Sequence, residues 1–93
     1  MLDAPVRLGV IPARAQSTRF PYKVLAPIAG VPLVQRVWEA ARQSRLLHRV
    51  IVATDCERVA QAVRGFGGEV IMTPSSLPSG TDRVFYAIQA LQA

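Results

Sequence analysis

The residues best suited to chemistry lie near the start of the chain, in the loop from 12 to 23. This loop holds three cations and two hydroxyls between them, namely Arg14, Ser17, Thr18, Arg19 and Lys23. A bound polyphosphate needs fixed positive charges, hydroxyl donors and free backbone N–H groups. The loop has no GxxxxGK[ST] run and no glycine, which excludes a Walker P-loop and a dinucleotide fingerprint. Its composition therefore predicts a triphosphate site of another kind, with a solvated basic loop as the alternative.

The pattern around this loop predicts strands that alternate with helices. Short apolar runs at 7–11, 50–53 and 69–72 are typical of buried strands. Helices are expected over 32–44, over 56–66 and from the 79–83 segment onward. Their expected inner faces comprise Leu33, Val34, Val37, Trp38 and Ala41, then Val59, Ala60 and Val63, then Val84, Ile88 and Leu91. This order predicts an α/β fold with a parallel sheet, right-handed crossovers and flanking helices.

The connections carry their own signals. Residues 24–29, broken by Pro27, predict an extended connection. A turn over 29–32 is expected to place Pro32 at the first helical position, where a missing N–H costs nothing. Asp55 is predicted to cap the second helix, and a glycine of the Gly67-Gly68 pair to end it in a left-handed conformation.

The segments that follow the three predicted strands are all polar or charged. They are the 12–23 loop, Thr54-Asp55, and Ser79-Gly80-Thr81-Asp82-Arg83 after the third strand and its loop. In parallel α/β sheets, ligands bind beyond the carboxyl ends of the strands. We therefore expect these segments to converge at one edge of the sheet and to form a nucleotide site.

Composition places limits on the function. The 93 residues are 51% hydrophobic and 18% charged, which predicts a globular chain of one domain at most. A net charge of +5 favours an anionic partner, but no run of five Lys or Arg indicates a nucleic-acid tail. The single cysteine, Cys56, excludes an intramolecular disulfide. No signal peptide and no membrane span are evident, so we expect a soluble, cytoplasmic protein.

Three motifs together resemble the 3-deoxy-manno-octulosonate cytidylyltransferases, or CMP-Kdo synthetases. The first joins Ile11-Pro12-Ala13-Arg14 to Ser17-Thr18-Arg19-Phe20-Pro21, Lys23 and Leu25. The second is Val52-Ala53-Thr54-Asp55, and the third is Ser79-Gly80-Thr81-Asp82-Arg83. Gly67-Gly68-Glu69-Val70 and Met72-Thr73 also match in register, so the resemblance covers nearly the whole chain. It implies a three-layer, Rossmann-like nucleotide-diphospho-sugar transferase fold, incomplete at the C-terminus. By this resemblance, residues 1–93 are expected to be the N-terminal, nucleotide-binding part of a larger domain.

The resemblance also implies a reaction and a site. The anomeric hydroxyl of Kdo attacks the α-phosphate of CTP, which releases pyrophosphate and yields CMP-Kdo for lipopolysaccharide assembly. Arg14 and Lys23 are implied as catalytic residues. The nucleotide-binding set comprises Ala13, Arg14, Ser17, Thr18, Arg19 and Lys23 around the triphosphate, with Thr54, Asp55, Ser79, Gly80, Thr81 and Arg83 around cytosine and ribose.

The chain departs from the family pattern at two places. Tyr22 stands where many members have glycine, between Pro21 and Lys23. The family continues into a Gln-Gly-Asp-Glu-Pro-like motif whose aspartate binds Mg²⁺, followed by most of the sugar site and the homodimer interface. The sequence stops at Ala93, before that motif, so we expect a truncated chain that binds CTP weakly, catalyses little and has an unpaired sheet edge that favours self-association.

Two alternatives remain at this point. One is a CMP-sialic acid synthetase-like cytidylyltransferase, which usually carries Gly-Ser-Lys where this chain has Gln16-Ser17-Thr18-Arg19. The other is a non-catalytic remnant that binds nucleotides through its basic edge.

Four single residues have their own interpretations. His48 and Cys56 are interpreted as structural, Trp38 as a core residue, and Asp82 as either a first-turn acid or a pocket residue.

Overall fold

The computed structural model describes residues 7–14, 23–77 and 79–92. The elements in chain order are β1 (Leu8–Pro12), a 3-10 turn (Lys23–Leu25), β2 (Pro27–Ile28), β3 (Val31–Pro32), α1 (Leu33–Arg42), β4 (Arg49–Thr54), α2 (Glu57–Gly65), β5 (Glu69–Met72) and α3 (Gly80–Gln92). The three predicted strands and three predicted helices are therefore present, with ends that differ by at most two residues from the predicted bounds.

The main sheet has three parallel strands in the order β1-β4-β5. In the register, Leu8 lies opposite Arg49, and Ile51 lies opposite Glu69. The central strand, β4, is buried from Val50 to Thr54, as its apolar sequence requires. The predicted parallel sheet is confirmed.

The connection before α1 is more regular than the sequence predicted. The two-residue strands β2 and β3 form an antiparallel hairpin whose turn residues, Ala29 and Gly30, have φ angles of +53° and +84°. Two positive φ angles are the requirement of a type I′ turn. Pro32 has an extended ψ of 144°, so it precedes the helix and does not occupy its first position. The expected extended connection thus contains a short hairpin that was not predicted, and the expectation that Pro32 occupies the first helical position was wrong.

The helices lie on both faces of the sheet. Trp38 of α1 contacts Phe66, which follows α2, with ring centroids 4.8 Å apart, so these helices share one face. Their core residues pack on Val50 and Val52 of β4. Side chains alternate along a strand, so Ile51 points to the other face, where α3 packs against β1 and β4. The result is the three-layer arrangement that the resemblance implied.

The inner faces of the helices agree with the prediction only in part. In α2, the predicted residues Val59, Ala60 and Val63 are all fully buried. In α1, Val37 was predicted to be internal but is 42% exposed, since no described element covers that side of the helix. In α3, the most buried residues are Arg83 and Ala87, whereas the predicted Val84, Ile88 and Leu91 are half-buried. The inner face of α3 is thus rotated toward Arg83, which reaches polar groups at the strand ends.

The end of α2 follows the predicted glycine pattern. The Gly67 N–H donates to the Arg64 carbonyl at 3.1 Å, and the Gly68 N–H donates to the Val63 carbonyl at 2.9 Å. Gly67 has a φ of +89°, so these bonds form a Schellman motif. This cap directs the chain from α2 into β5.

Candidate functional site

The three segments that follow the strands meet at the carboxyl edge of the sheet. The Ala13 N–H donates to the Ala53 carbonyl at 2.8 Å, and the Thr73 N–H donates to the Thr54 carbonyl at 2.8 Å. Both bonds extend the parallel ladder by one residue past the strand ends. At the start of α3, Gly80 faces the Pro12 ring so closely that a Cβ on Gly80 would lie 3.5 Å from Cγ of the proline. The convergence predicted from the order of the elements is therefore present for the described residues, while residues 15–22 of the first loop lie outside them.

The first segment begins with a buried residue and an exposed cation. Ala13 is 1% exposed, whereas Arg14 lies at the surface beside the same strand end. The predicted phosphate-binding residues Ser17, Thr18 and Arg19 fall outside the described residues, as do Tyr22 and the side chain of Lys23. Their assignment stays a prediction. Within the described part, Arg14 is the predicted phosphate ligand that can reach a bound anion from solvent.

The segment after β4 is organised differently from the prediction. The second helix begins at Glu57, and Cys56 occupies the N-cap position without a side-chain cap hydrogen bond. Asp55 is therefore not the N-cap. The Thr54 hydroxyl accepts the Cys56 N–H at 3.2 Å, while an Asp55 carboxylate oxygen lies 3.8 Å from Nη2 of Arg83. Since its carboxylate faces that guanidinium, Asp55 is turned away from the helix it was expected to cap.

Arg83 is the most unusual residue at this edge because it is a cation that is only 1% exposed. Its Nη1 donates to the Thr73 hydroxyl and, at 3.2 Å, to the Pro74 carbonyl. Its Nη2 makes the ion-pair contact with Asp55. The structure therefore brings the predicted site residues Asp55 and Arg83 together, but it places the Arg83 guanidinium inside the protein.

The start of α3 is held by an N-cap at Ser79. The Ser79 hydroxyl donates to the Asp82 carboxylate at 2.7 Å and accepts the Asp82 N–H at 3.2 Å. The contact with Ser79 supports the first-turn role of Asp82, and its pocket role stays an untested prediction. Thr81 and Asp82 are exposed, and Gly80 is half-buried beside the first strand end. Among the predicted nucleotide-binding residues of this segment, Thr81 is thus the one whose side chain is exposed.

Sequence reasoning missed Thr73 as a member of the site. The motifs include it only in the matching Met72-Thr73 pair, yet the residue is 7% exposed and its hydroxyl accepts a hydrogen bond from Arg83. The sequence pattern could have identified it. Thr54 was selected because it is a polar residue at the end of a strand, and Thr73 directly follows the third strand of the main sheet in the same way.

A separate cleft of about 310 Å³ lies at the opposite, amino edge of the sheet. Its lining includes Trp38, Arg42, His48, Arg49 and Glu69. The hydrogen bonds that Arg49 donates to the Glu69 carboxylate, and the charge of that group, raise the pKa of the guanidinium above its ordinary value. Arg49 is thus paired with the Glu69 carboxylate, and His48 accepts the Arg7 N–H at 2.9 Å. Because these two polar side chains already have partners within the protein, we interpret the residues that line the cleft as structural.

The other residues singled out in the sequence have structural surroundings. Trp38 is 8% exposed in the core cluster, as predicted, and the half-buried Cys56 packs against the same cluster. Residues 7–14, 23–77 and 79–92 contain no group of three His, Cys, Asp or Glu side chains that could hold a metal. The Mg²⁺ that the resemblance implies stays a prediction, because Mg²⁺ is usually held by one or two carboxylates together with substrate phosphates. No helix among them has the length and apolar character needed to cross a membrane.

Sequence comparisons agree with this architecture. The chain is 59% identical over 76 residues to a 3-deoxy-manno-octulosonate cytidylyltransferase of Geobacter sulfurreducens, a match that covers 82% of this chain and 30% of that protein. A maize (Zea mays) protein of the same name is 49% identical over 84 residues, covering 90% of this chain and 28% of the relative. An 8-amino-3,8-dideoxy-manno-octulosonate cytidylyltransferase of Shewanella is 52% identical over 82 residues, covering 88% and 34%. The chain thus spans about a third of the length of these relatives.

The comparison with solved structures also matches the chain to a synthetase of this kind. A solved structure of CMP:2-keto-3-deoxy-manno-octonic acid synthetase in complex with CTP matches with a TM-score of 0.88 at 45% identity. The match covers 94% of this chain and 36% of that one. The implied fold and the resemblance drawn from the three motifs are confirmed. Since the sequence profile described as "Cytidylyltransferase" matches residues 8–93, the chain belongs to the cytidylyltransferase family.

Proposed function

We propose that this chain binds CTP at the carboxyl edge of its sheet, as part of an enzyme that transfers CMP from CTP to Kdo. One observation carries the proposal. The described parts of the three polar segments meet at a single edge, in a fold that matches a CTP-complexed synthetase with a TM-score of 0.88. Parallel sheets bind ligands at this edge, so fold and chemistry support the same location.

The proposed reaction is a substitution at phosphorus. The anomeric oxygen of Kdo forms a bond to the α-phosphorus of CTP, the bond to the pyrophosphate oxygen breaks, and the hydroxyl proton is released. The protein's contribution to such a reaction is mainly positioning and charge stabilisation. Arg14 is exposed beside the first strand end, where its charge can stabilise a triphosphate. Lys23 has the same role in this proposal, on the strength of the sequence motif.

The choice of sugar substrate rests on the names of the relatives. The Geobacter and maize relatives are named for 3-deoxy-manno-octulosonate, and the Shewanella relative is named for its 8-amino-3,8-dideoxy analogue. These names favour an octulosonate over the sialic acid alternative. Kdo is the first candidate, and the 8-amino sugar is the second. Magnesium, a homodimer and a cytoplasmic location are implied by the resemblance and stay predictions.

Calorimetric titration with CTP tests the nucleotide half of the proposal. We expect CTP to bind, and the Arg14→Ala variant to bind about tenfold more weakly, since a charge-assisted contact to phosphate contributes about 1.4 kcal/mol or more. The matched control is Arg64→Ala, because Arg64 is an exposed arginine paired with Glu57 on α2. It should bind CTP as the unaltered chain does.

Two results would count against the proposal. The first is an absence of CTP binding by the unaltered chain. The second is equal binding of CTP, ATP and inorganic triphosphate, lost in parallel as salt is added, with both arginine variants weakened alike. That pattern belongs to a generic basic surface, which is the non-catalytic alternative.

A further inference from the structure

We propose that Arg83 is a positioning residue, whose buried guanidinium holds Asp55 and the Thr73-Pro74 segment in the arrangement that receives the nucleotide. This inference rests on the proposed function and refines it. The sequence motif assigned Arg83 a direct contact with the nucleotide. The structure assigns it an indirect role, exerted through the groups that it holds in place.

The burial of Arg83 argues against direct contact. The residue is 1% exposed, and its Nη1 already donates to the Thr73 hydroxyl and the Pro74 carbonyl. Its Nη2 faces Asp55 at 3.8 Å. A guanidinium in this position has no surface left to offer a bound molecule, whereas Asp55 is partly exposed on its outer side.

The contacts of Arg83 join two of the three strand ends. Asp55 follows β4, and Thr73 with Pro74 follows β5. Arg83 itself lies on the first turns of α3, the helix whose start packs beside Pro12 at the end of β1. A single side chain therefore links the segments after β4 and β5 to the helix that borders the end of β1.

Stability alone does not account for this arginine. A buried cation carries a large desolvation penalty, and the positive end of the α3 dipole opposes a cation near its start. The compensation is also incomplete, because Nε of Arg83 and Oδ1 of Asp55 have no hydrogen-bond partner among the described protein atoms. An apolar side chain of similar length would fill the same volume without these penalties. The polar arrangement is therefore better explained by what it positions.

The test is CTP titration of variants that are first shown by circular dichroism to be folded. Arg83→Met keeps the length and removes the charge, and Thr73→Val removes one acceptor without changing the shape. Arg64→Met is the matched control on the surface of α2. We expect Arg83→Met to weaken CTP binding about tenfold and Thr73→Val about threefold, within the range of measured coupling energies. The control should bind CTP normally.

A double variant separates positioning from a purely structural effect. If Arg83 acts through Asp55, then Asp55→Asn combined with Arg83→Met should bind CTP about as weakly as Arg83→Met alone. Folded Arg83→Met and Thr73→Val variants that bind CTP as tightly as the unaltered chain would overturn the inference and leave the proposed function intact. If Arg83→Met does not fold, Thr73→Val decides by the same criterion. Failure of the unaltered chain to bind CTP would reject both proposals.

Discussion

Three glycines at the end of α2 differ in what a methyl group added to each would meet. A Cβ at Gly68 would lie 2.8 Å from Cγ1 of Val63, 3.0 Å from Cε1 of Phe66 and 3.1 Å from Nε1 of Trp38. A Cβ at Gly65 or Gly67 would meet nothing within 4 Å, but Gly67 has a φ of +89°. Alanine at these positions should therefore change stability in different directions.

The expected magnitudes follow from these surroundings. Gly68→Ala should lower the free energy of unfolding by about 2 kcal/mol, because three core side chains would have to move in a packed junction. Gly67→Ala should lower it by about 1 kcal/mol, the cost of a left-handed conformation in a residue with a Cβ. Gly65→Ala should raise it by about 0.5 kcal/mol, because alanine favours the helix and reduces the entropy of the unfolded chain.

Urea denaturation followed by the fluorescence of Trp38 measures all three variants. Trp38 is the single tryptophan and is 8% exposed in this junction, so its emission reports directly on the packing that Gly68 permits. The reasoning would be refuted if Gly68→Ala matched the unaltered chain, or if Gly65→Ala and Gly68→Ala changed stability in the same direction. Either result would mean that α1, α2 and β5 do not meet as described.

Two further predictions concern polar contacts at the surface. Ser79→Ala removes the N-cap hydrogen bond to the Asp82 N–H and should destabilise the chain by about 1 kcal/mol in a thermal melt. Ser76→Ala in the preceding loop should have no effect, and equal melting temperatures for the two variants would contradict the cap. Glu69→Gln breaks an ion pair with Arg49 in which both side chains are about half exposed, and it should leave the melting temperature unchanged within error. A shift of several degrees would show that this ion pair contributes more than exposed pairs normally do.

Much of the fold follows from local sequence patterns. The apolar runs that form β4 and β5 are short and sharply bounded, so their positions and the parallel order could be predicted. The inner face of α2 was correct to the residue because Val59, Ala60 and Val63 follow helical spacing in a helix covered by the sheet. The β2–β3 hairpin was missed because strands of two residues are too short to show any periodicity.

The convergence of the strand ends was predictable from the sequence, and the contacts within it were not. The rule that ligands bind beyond the strand ends selected the edge at which Ala13, Thr54 and Thr73 lie together, and nucleotide binding there stays a proposal. It could not show that Asp55 faces Arg83, because that pairing joins residues 28 positions apart through the packing of α3. It also could not predict the burial of Arg83, since arginine is normally expected at the surface.

The central claim is that CTP binds at the carboxyl edge of the sheet, and backbone amide chemical shifts measured during a CTP titration test it most directly. We expect the largest shifts at Arg14, Asp55, Thr73 and Thr81, with saturation at a common dissociation constant. Shifts centred instead on the amino-edge cleft around His48, or spread evenly over the basic surface, would contradict the account.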